Sequence, residues 1–265
     1  MRIFFLAAGI ILLFTLPACN GSGTDSGTVS QIDSKITMSM TEVLNPAART
    51  LALTAQTERV YGCTNYAILN TVSVNANTVT LDFTGIAAPT NCVAEVGPAD
   101  GSLNLGFLPT AIYNFVINVN GVATNATLAV TDSSYQVTNG SSKWTDFTKT
   151  FFLKVPPGTI WGNVQYSDPN LLPVDRGFFD SLKALGAQAH VYPAGDYGYF
   201  QIDGVGTVVV PTGSHLNYID TFIFNYGFDM LKVRALVKSL ALRITINLYG
   251  SNGEVYLTSV LAHEP

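Results

Sequence analysis

From residue 35 to residue 138 the chain is a succession of short β-forming runs broken by turn residues, and this rhythm limits the fold more than any other feature does. The runs fall at 36–40, 50–55, 67–74, 78–83, 92–96, 102–105, 111–119 and 123–130. Strands this short, at this spacing and with turn signals between them, predict a β-sandwich over 34–140. Asn120-Gly121, set between Val119 and Val122, reads as a tight hairpin turn whose two central residues take positive φ.

Past the double proline Pro156-Pro157 the pattern changes, because neither a helix nor a central strand continues through it. Residues 141–157 are expected to be a linker or a closing strand, and 158–265 a second domain. Two helices are predicted there. One runs to Gly186 with Asp175 as its N-cap, and the other covers 227–242. Strands are expected at 159–166, 189–192, 199–202, 207–210, 219–225, 243–249 and 255–260, with hairpin turns inside 202–207 and 249–254. The fold class is therefore mainly β and then α+β, with both helices on one face of a mostly antiparallel sheet. The opposite face and its loops are left for partners.

The N-terminus carries an address. Arg2 precedes an almost wholly apolar run at 3–16, too short to span a bilayer, which takes about 20 helical residues. Leu16-Pro17-Ala18-Cys19 resembles the lipobox of bacterial lipoproteins, although Pro17 is an unusual occupant of its middle position. The resemblance implies a signal peptide at 1–18, acylation of Cys19, and attachment to a bacterial membrane, the outer membrane in particular. Residues 19–33, rich in Gly, Ser, Thr and Asp, read as a tether with a reach of about 20 Å. A lipidated Cys19 leaves Cys63 and Cys92 of the three cysteines, an even pair suited to a disulfide in an oxidising compartment; two free thiols are the alternative.

Composition excludes some functions. The net charge is −5, with no basic cluster to neutralise phosphates, so no nucleic-acid partner is expected. Charged residues make up only 12% of the chain, about half the usual share of about 25%, so uncharged polar side chains must cover much of the surface.

Thr110 to Val119, with Tyr113 at the head of a late strand, is similar to the stretch of immunoglobulin-like domains that carries the tyrosine corner. That similarity implies an immunoglobulin-like sandwich in which the Tyr113 hydroxyl bonds back to the chain upstream. Phe115 stands where an antibody domain has its inter-sheet cysteine, so the domain is not of the antibody type.

No motif assigns a reaction. His190, His215 and His263 lack metal-ligand spacing, and neither a Gly-x-Ser-x-Gly elbow nor a phosphate loop is present, so no metal and no cofactor are expected. A glycoside hydrolase needs only two placed carboxylates, and Asp168, Asp175, Asp203 and Asp220 are among the candidates. Asp175 has a simpler role as a cap, Asp203 in a turn and Asp168 before a proline. The strongest pointer to binding is 191–203, where Tyr192, Tyr197, Tyr199 and Phe200 surround Asp196. Rings beside a carboxylate suit a sugar-binding surface, whereas packed in a core the same residues are ordinary strand formers. The expectation is a non-catalytic envelope protein that binds or presents a glycan or a protein partner. The alternatives are a structural or assembly lipoprotein with the sandwich as spacer, and a carboxylate-dependent hydrolase.

Overall fold

The computed structural model describes residues 28–211, 216–227 and 229–263. The expected signal peptide, Cys19, the start of the expected tether and His215 lie outside the described residues.

The protein is mainly β. Its N-terminal part consists of β1 (Val29–Ser30), β2 (Ile36–Val43), β3 (Thr50–Tyr61), β4 (Ala67–Asn75), β5 (Thr78–Ala87), β6 (Gly97–Gly106), β7 (Ala111–Val119), β8 (Val122–Val130), β9 (Ser134–Thr138), β10 (Thr145–Phe147) and β11 (Phe151–Leu153). They join in one 11-stranded curled sheet, in the order β10-β2-β3-β6-β4-β5-β7-β8-β9-β11, with β1 beside β5. Register shifts between β3 and β6 and between β4 and β5 mark irregularities of the kind that bend a sheet. Alternate residues point inward, as in β7, where Tyr113, Phe115, Ile117 and Val119 are all buried in one core with Met38, Leu53, Leu81 and Leu128.

Local features follow their residues. Asn120 and Gly121 both take positive φ and join β7 to β8 as expected. The Tyr113 hydroxyl donates to the Pro109 carbonyl at 2.9 Å. Cys63 and Cys92 form a disulfide, with Cα atoms 5.4 Å apart. The described end of the expected tether is part of the sheet, since Val29 and Ser30 pair with β5 and Ile32 is buried. The Asn120 side chain fixes it there, donating to the Ile32 carbonyl at 2.7 Å and accepting from its N–H at 3.3 Å. The strand expected at 92–96 is instead a loop around the disulfide, and the single closing strand is two short ones, β10 and β11.

The C-terminal part comprises β12 (Thr159–Tyr166), α1 (Leu172–Ala184), β13 (Gly195–Asp196), β14 (Gln201–Ile202), β15 (Val208–Val209), β16 (Tyr218–Asn225), α2 (Met230–Leu240), β17 (Thr245–Gly250), β18 (Val255–Leu257) and α3 (Thr258–Leu261). Strands β16-β12-β17-β18 form an antiparallel sheet, and β13-β14-β15 a smaller one. As expected, α1 and α2 share one face: Phe178 and Leu182 of α1 and Val233 and Val237 of α2 pack on Ile160, Val164 and Ile246. Two helix details differ from expectation. Helix α1 starts at Leu172 with no side-chain cap, which places Asp175 in its first turn, and the end of the expected strand at 255–260 turns into α3. Gly186, with φ 106°, follows α1 as expected. The strand expected at 189–192 is absent apart from one bridge, Gln188 to Asn225.

The face opposite the helices is not open. Trp161, pointing away from them, stacks with Tyr249 and packs against Phe200 at 5.3 Å and Tyr199 at 5.6 Å, and the small sheet closes over it with Ile202 and Val210. Every residue of β12 is buried for this reason.

Replacing Cys63 and Cys92 together by Ala is expected to lower stability by about 3 kcal/mol, because the loop that the bridge closes gains entropy when unfolded. Urea unfolding of the two proteins under non-reducing conditions measures the difference.

Candidate functional site

The two parts meet around one buried carboxylate. In β2 the inward row Ile36, Met38, Met40 continues in phase to Glu42, which is 1% exposed. One of its oxygens accepts from the Tyr135 hydroxyl at 3.3 Å, and the other from the Val155 N–H at 3.3 Å. Arg49 stands 3.8 Å from that second oxygen and donates to the Val155 carbonyl and, at 3.1 Å, to the Ser251 carbonyl in the β17–β18 turn. The Tyr199 hydroxyl donates to the Glu42 backbone carbonyl. Leu44 and Leu153 of the N-terminal part extend the Trp161 cluster. Two glycines permit the approach: a Cβ on Gly253 would lie 2.3 Å from the Leu44 carbonyl oxygen, and one on Gly195 2.8 Å from a Leu153 methyl.

Beside this junction opens a cleft of about 350 Å³, lined by Glu42, Arg49, Phe107, Asp132, Ser133, Tyr135, Lys154, Val155, Pro156 and Pro157. A concave site with apolar walls and a few converging polar groups is the usual form of a small-ligand pocket. Lys154 holds its ammonium 4.6 Å from the centre of the Tyr135 ring. Burial lowers the Lys154 pKa, against the pull of Glu42 and Asp132. Burial also raises the pKa of the Tyr135 hydroxyl, and the adjoining Glu42 charge adds to the effect.

The residues expected to form a ligand surface at 191–203 sit differently. Tyr192, Tyr197 and Phe200 are 6%, 2% and 1% exposed, so the run does not present these rings to solvent; they fill the space over Trp161. Sugar stacking needs open ring faces, and here other side chains cover them. Tyr199 is half-buried and borders a second cleft of about 250 Å³ with Trp161 and Tyr249. Asp196 forms an ion pair with Lys149 of the N-terminal part. Burial opposes its charge, but the bonds from Lys149, Gly198 and Gln201 outweigh that and hold its carboxyl below the usual range.

A carboxyl pair lies on the helix side. Asp175 is 2% exposed, and among the described residues one of its oxygens has no hydrogen-bond donor. Asp220 of β16 is within hydrogen-bonding reach, so a proton held by Asp175 satisfies both groups. Burial, followed by the Asp220 bond and charge, raises the Asp175 pKa to about 7, only partly offset by Arg176. Tyr166 and Tyr218 stack beside the pair at 5.2 Å. Direct contact leaves no space for a sugar or an attacking water between the carboxyls, which sit about 5 Å or more apart in glycosidases. Asp203 makes its expected turn, accepting from the Val205 and Thr207 N–H groups, while Asp168 caps the short turn that follows it and Asp229 caps helix α2.

Glu42, Arg49 and Lys154 were not singled out by their sequence context. The one signal for Glu42 is its phase, a charge on the apolar row of a strand. His190 packs edge-on against Tyr192, and among the described residues no group of three or more His, Cys, Asp or Glu is placed to hold a metal.

Glu42→Ala is expected to cost about 3 kcal/mol or more, since it strands the Arg49 charge and the Val155 N–H. Glu42→Ala with Arg49→Ala is expected to cost less than the sum of the single changes, as read by urea unfolding. At Asp175 the folded state holds a proton that an unfolded carboxyl, with an ordinary value of 3.8, releases earlier. The stability drawn from this pair is therefore complete below about pH 4 and is lost as pH rises through about 7. Asp175→Asn is expected to flatten that dependence, measured as urea midpoints from pH 4 to 8. No protein-family model, no curated protein and no solved structure matches this chain.

Proposed function

We propose that this protein is a lipid-anchored binding protein of a bacterial envelope, exported by its N-terminal signal and held at the outer membrane by acylated Cys19. The observation that supports this best is the Cys63–Cys92 disulfide: it accounts for two of the three cysteines and leaves Cys19, behind Leu16-Pro17-Ala18, as the odd one. An internal disulfide also suits an exported chain. We further read the curled N-terminal sheet as an immunoglobulin-like sandwich, a reading favoured by the bond from the Tyr113 hydroxyl to the carbonyl four residues upstream.

The role is binding or presentation rather than catalysis, and an envelope protein fits better than a glycan. The rings that a glycan needs are turned inward, while the junction cleft lies open between the two parts. A structural or assembly role, with the N-terminal part as spacer, is the second reading. The lock of Glu42, Arg49 and Val155 favours it, because it makes the two parts a single arm.

Cys19→Ser is expected to move the protein from the membrane fraction to the soluble fraction after cell lysis. Retention in the membrane would rule out the lipid anchor.

A further inference from the structure

The junction cleft holds one ammonium whose donors are unused. Glu42 spends its oxygens on Tyr135, Val155 and the nearby Arg49, and Arg49, its charge balanced by Glu42, gives two of its five N–H donors to backbone carbonyls. Lys154 is different: its ammonium rests over the Tyr135 ring and makes no hydrogen bond to any described residue. Asp132, at the exposed side, already accepts the Thr110 hydroxyl at 2.8 Å. A cationic ligand would have only that solvated carboxylate to bind and would face Lys154. An anion would meet a half-buried ammonium with unused donors, where charge-assisted hydrogen bonds are strong.

The remaining wall selects the body of the ligand. Phe107 is 66% exposed, a large ring standing open at the rim, and Pro156 and Pro157 offer no N–H. A polyol would leave its hydroxyls unpaired against these surfaces, at a cost that an apolar group does not incur. The volume of about 350 Å³ is at the small end of ligand sites.

We propose that the junction cleft binds a carboxylate carried on an apolar body, with Lys154 holding the carboxylate and Phe107, Pro156 and Pro157 the apolar part. Such a group is found both at the C-terminus of a peptide and in a free organic acid. The inference rests on the reading of the protein as a binding protein, but not on its lipid anchor.

The test is calorimetric titration of the full chain in a non-ionic detergent with four probes: N-acetyl-Gly-Ala-Phe as its free acid and as its C-terminal amide, and 3-phenylpropanoate and its amide. At least one acid is expected to bind at least tenfold more tightly than its amide. Lys154→Met is expected to erase that preference, Lys154→Arg to keep it, and Phe107→Ala to weaken the acid severalfold. Tighter binding of the peptide acid assigns the site to a partner's C-terminus, and tighter binding of 3-phenylpropanoate assigns it to a free acid. Acid and amide binding alike, or a preference untouched by Lys154→Met in a protein with an unchanged urea midpoint, would overturn the proposal. The same preparation, passed over immobilised envelope proteins and a glycan panel, separates the two failures. Capture there without any acid preference sinks the cleft assignment alone, whereas no capture and no acid binding sink the binding role as well.

Discussion

The architecture depends on what happens to the Glu42 carboxylate. A charge at that depth is tolerable only when it is paired and hydrogen-bonded, and the partners come from three other places in the chain. Val155 gives its N–H to Glu42 and its carbonyl to Arg49, so the residue just before Pro156-Pro157 has no free backbone group. A segment that reads as a linker is thereby fixed in place. Arg49 also reaches Ser251, and Tyr199 reaches the Glu42 carbonyl, so the same few atoms set the position of the C-terminal sheet.

The burial of the aromatic run follows from that placement. With the C-terminal sheet held against Leu44 and Leu153, the face carrying Trp161 lies at the junction, and Tyr192, Tyr197 and Phe200 close the gap. Both faces of β12 are then covered, one by helices and one by rings. Few charges are needed for such a body, which agrees with a chain having only 12% charged residues. The charges present at the junction are concentrated in Glu42, Arg49, Asp132, Lys149, Lys154 and Asp196, where they join the two parts or line the cleft between them.

Much of the local structure was legible. The runs around Ile36, Val79, Phe115 and Leu128 became strands, since β-branched and aromatic residues suit a pleated surface with one buried face. Asn120-Gly121 made its hairpin because both residues accept positive φ. Asp175 misled for an instructive reason. An acidic residue near a helix start suits a cap, but Pro173 had already allowed the helix to begin at Leu172, which left the carboxyl to find Asp220. The stretch at 92–96 carries strand-forming valines, yet it follows the disulfide at Cys92 and lies in a loop.

The sequence alone determined most of where the chain extends and turns, that one of its three cysteines follows an apolar N-terminal run, and that no familiar catalytic motif is present. These properties reside in neighbours a few residues apart, where propensity, periodicity and spacing act. Tertiary structure alone decided which rings are covered, which carboxyl groups meet and where a cleft opens. Glu42 meets Tyr135 and Val155 across 93 and 113 residues, and Arg49 meets Ser251 across 202. Contacts over such separations arise from how the large sheet curls on itself and how the two parts pack, and no local pattern encodes them.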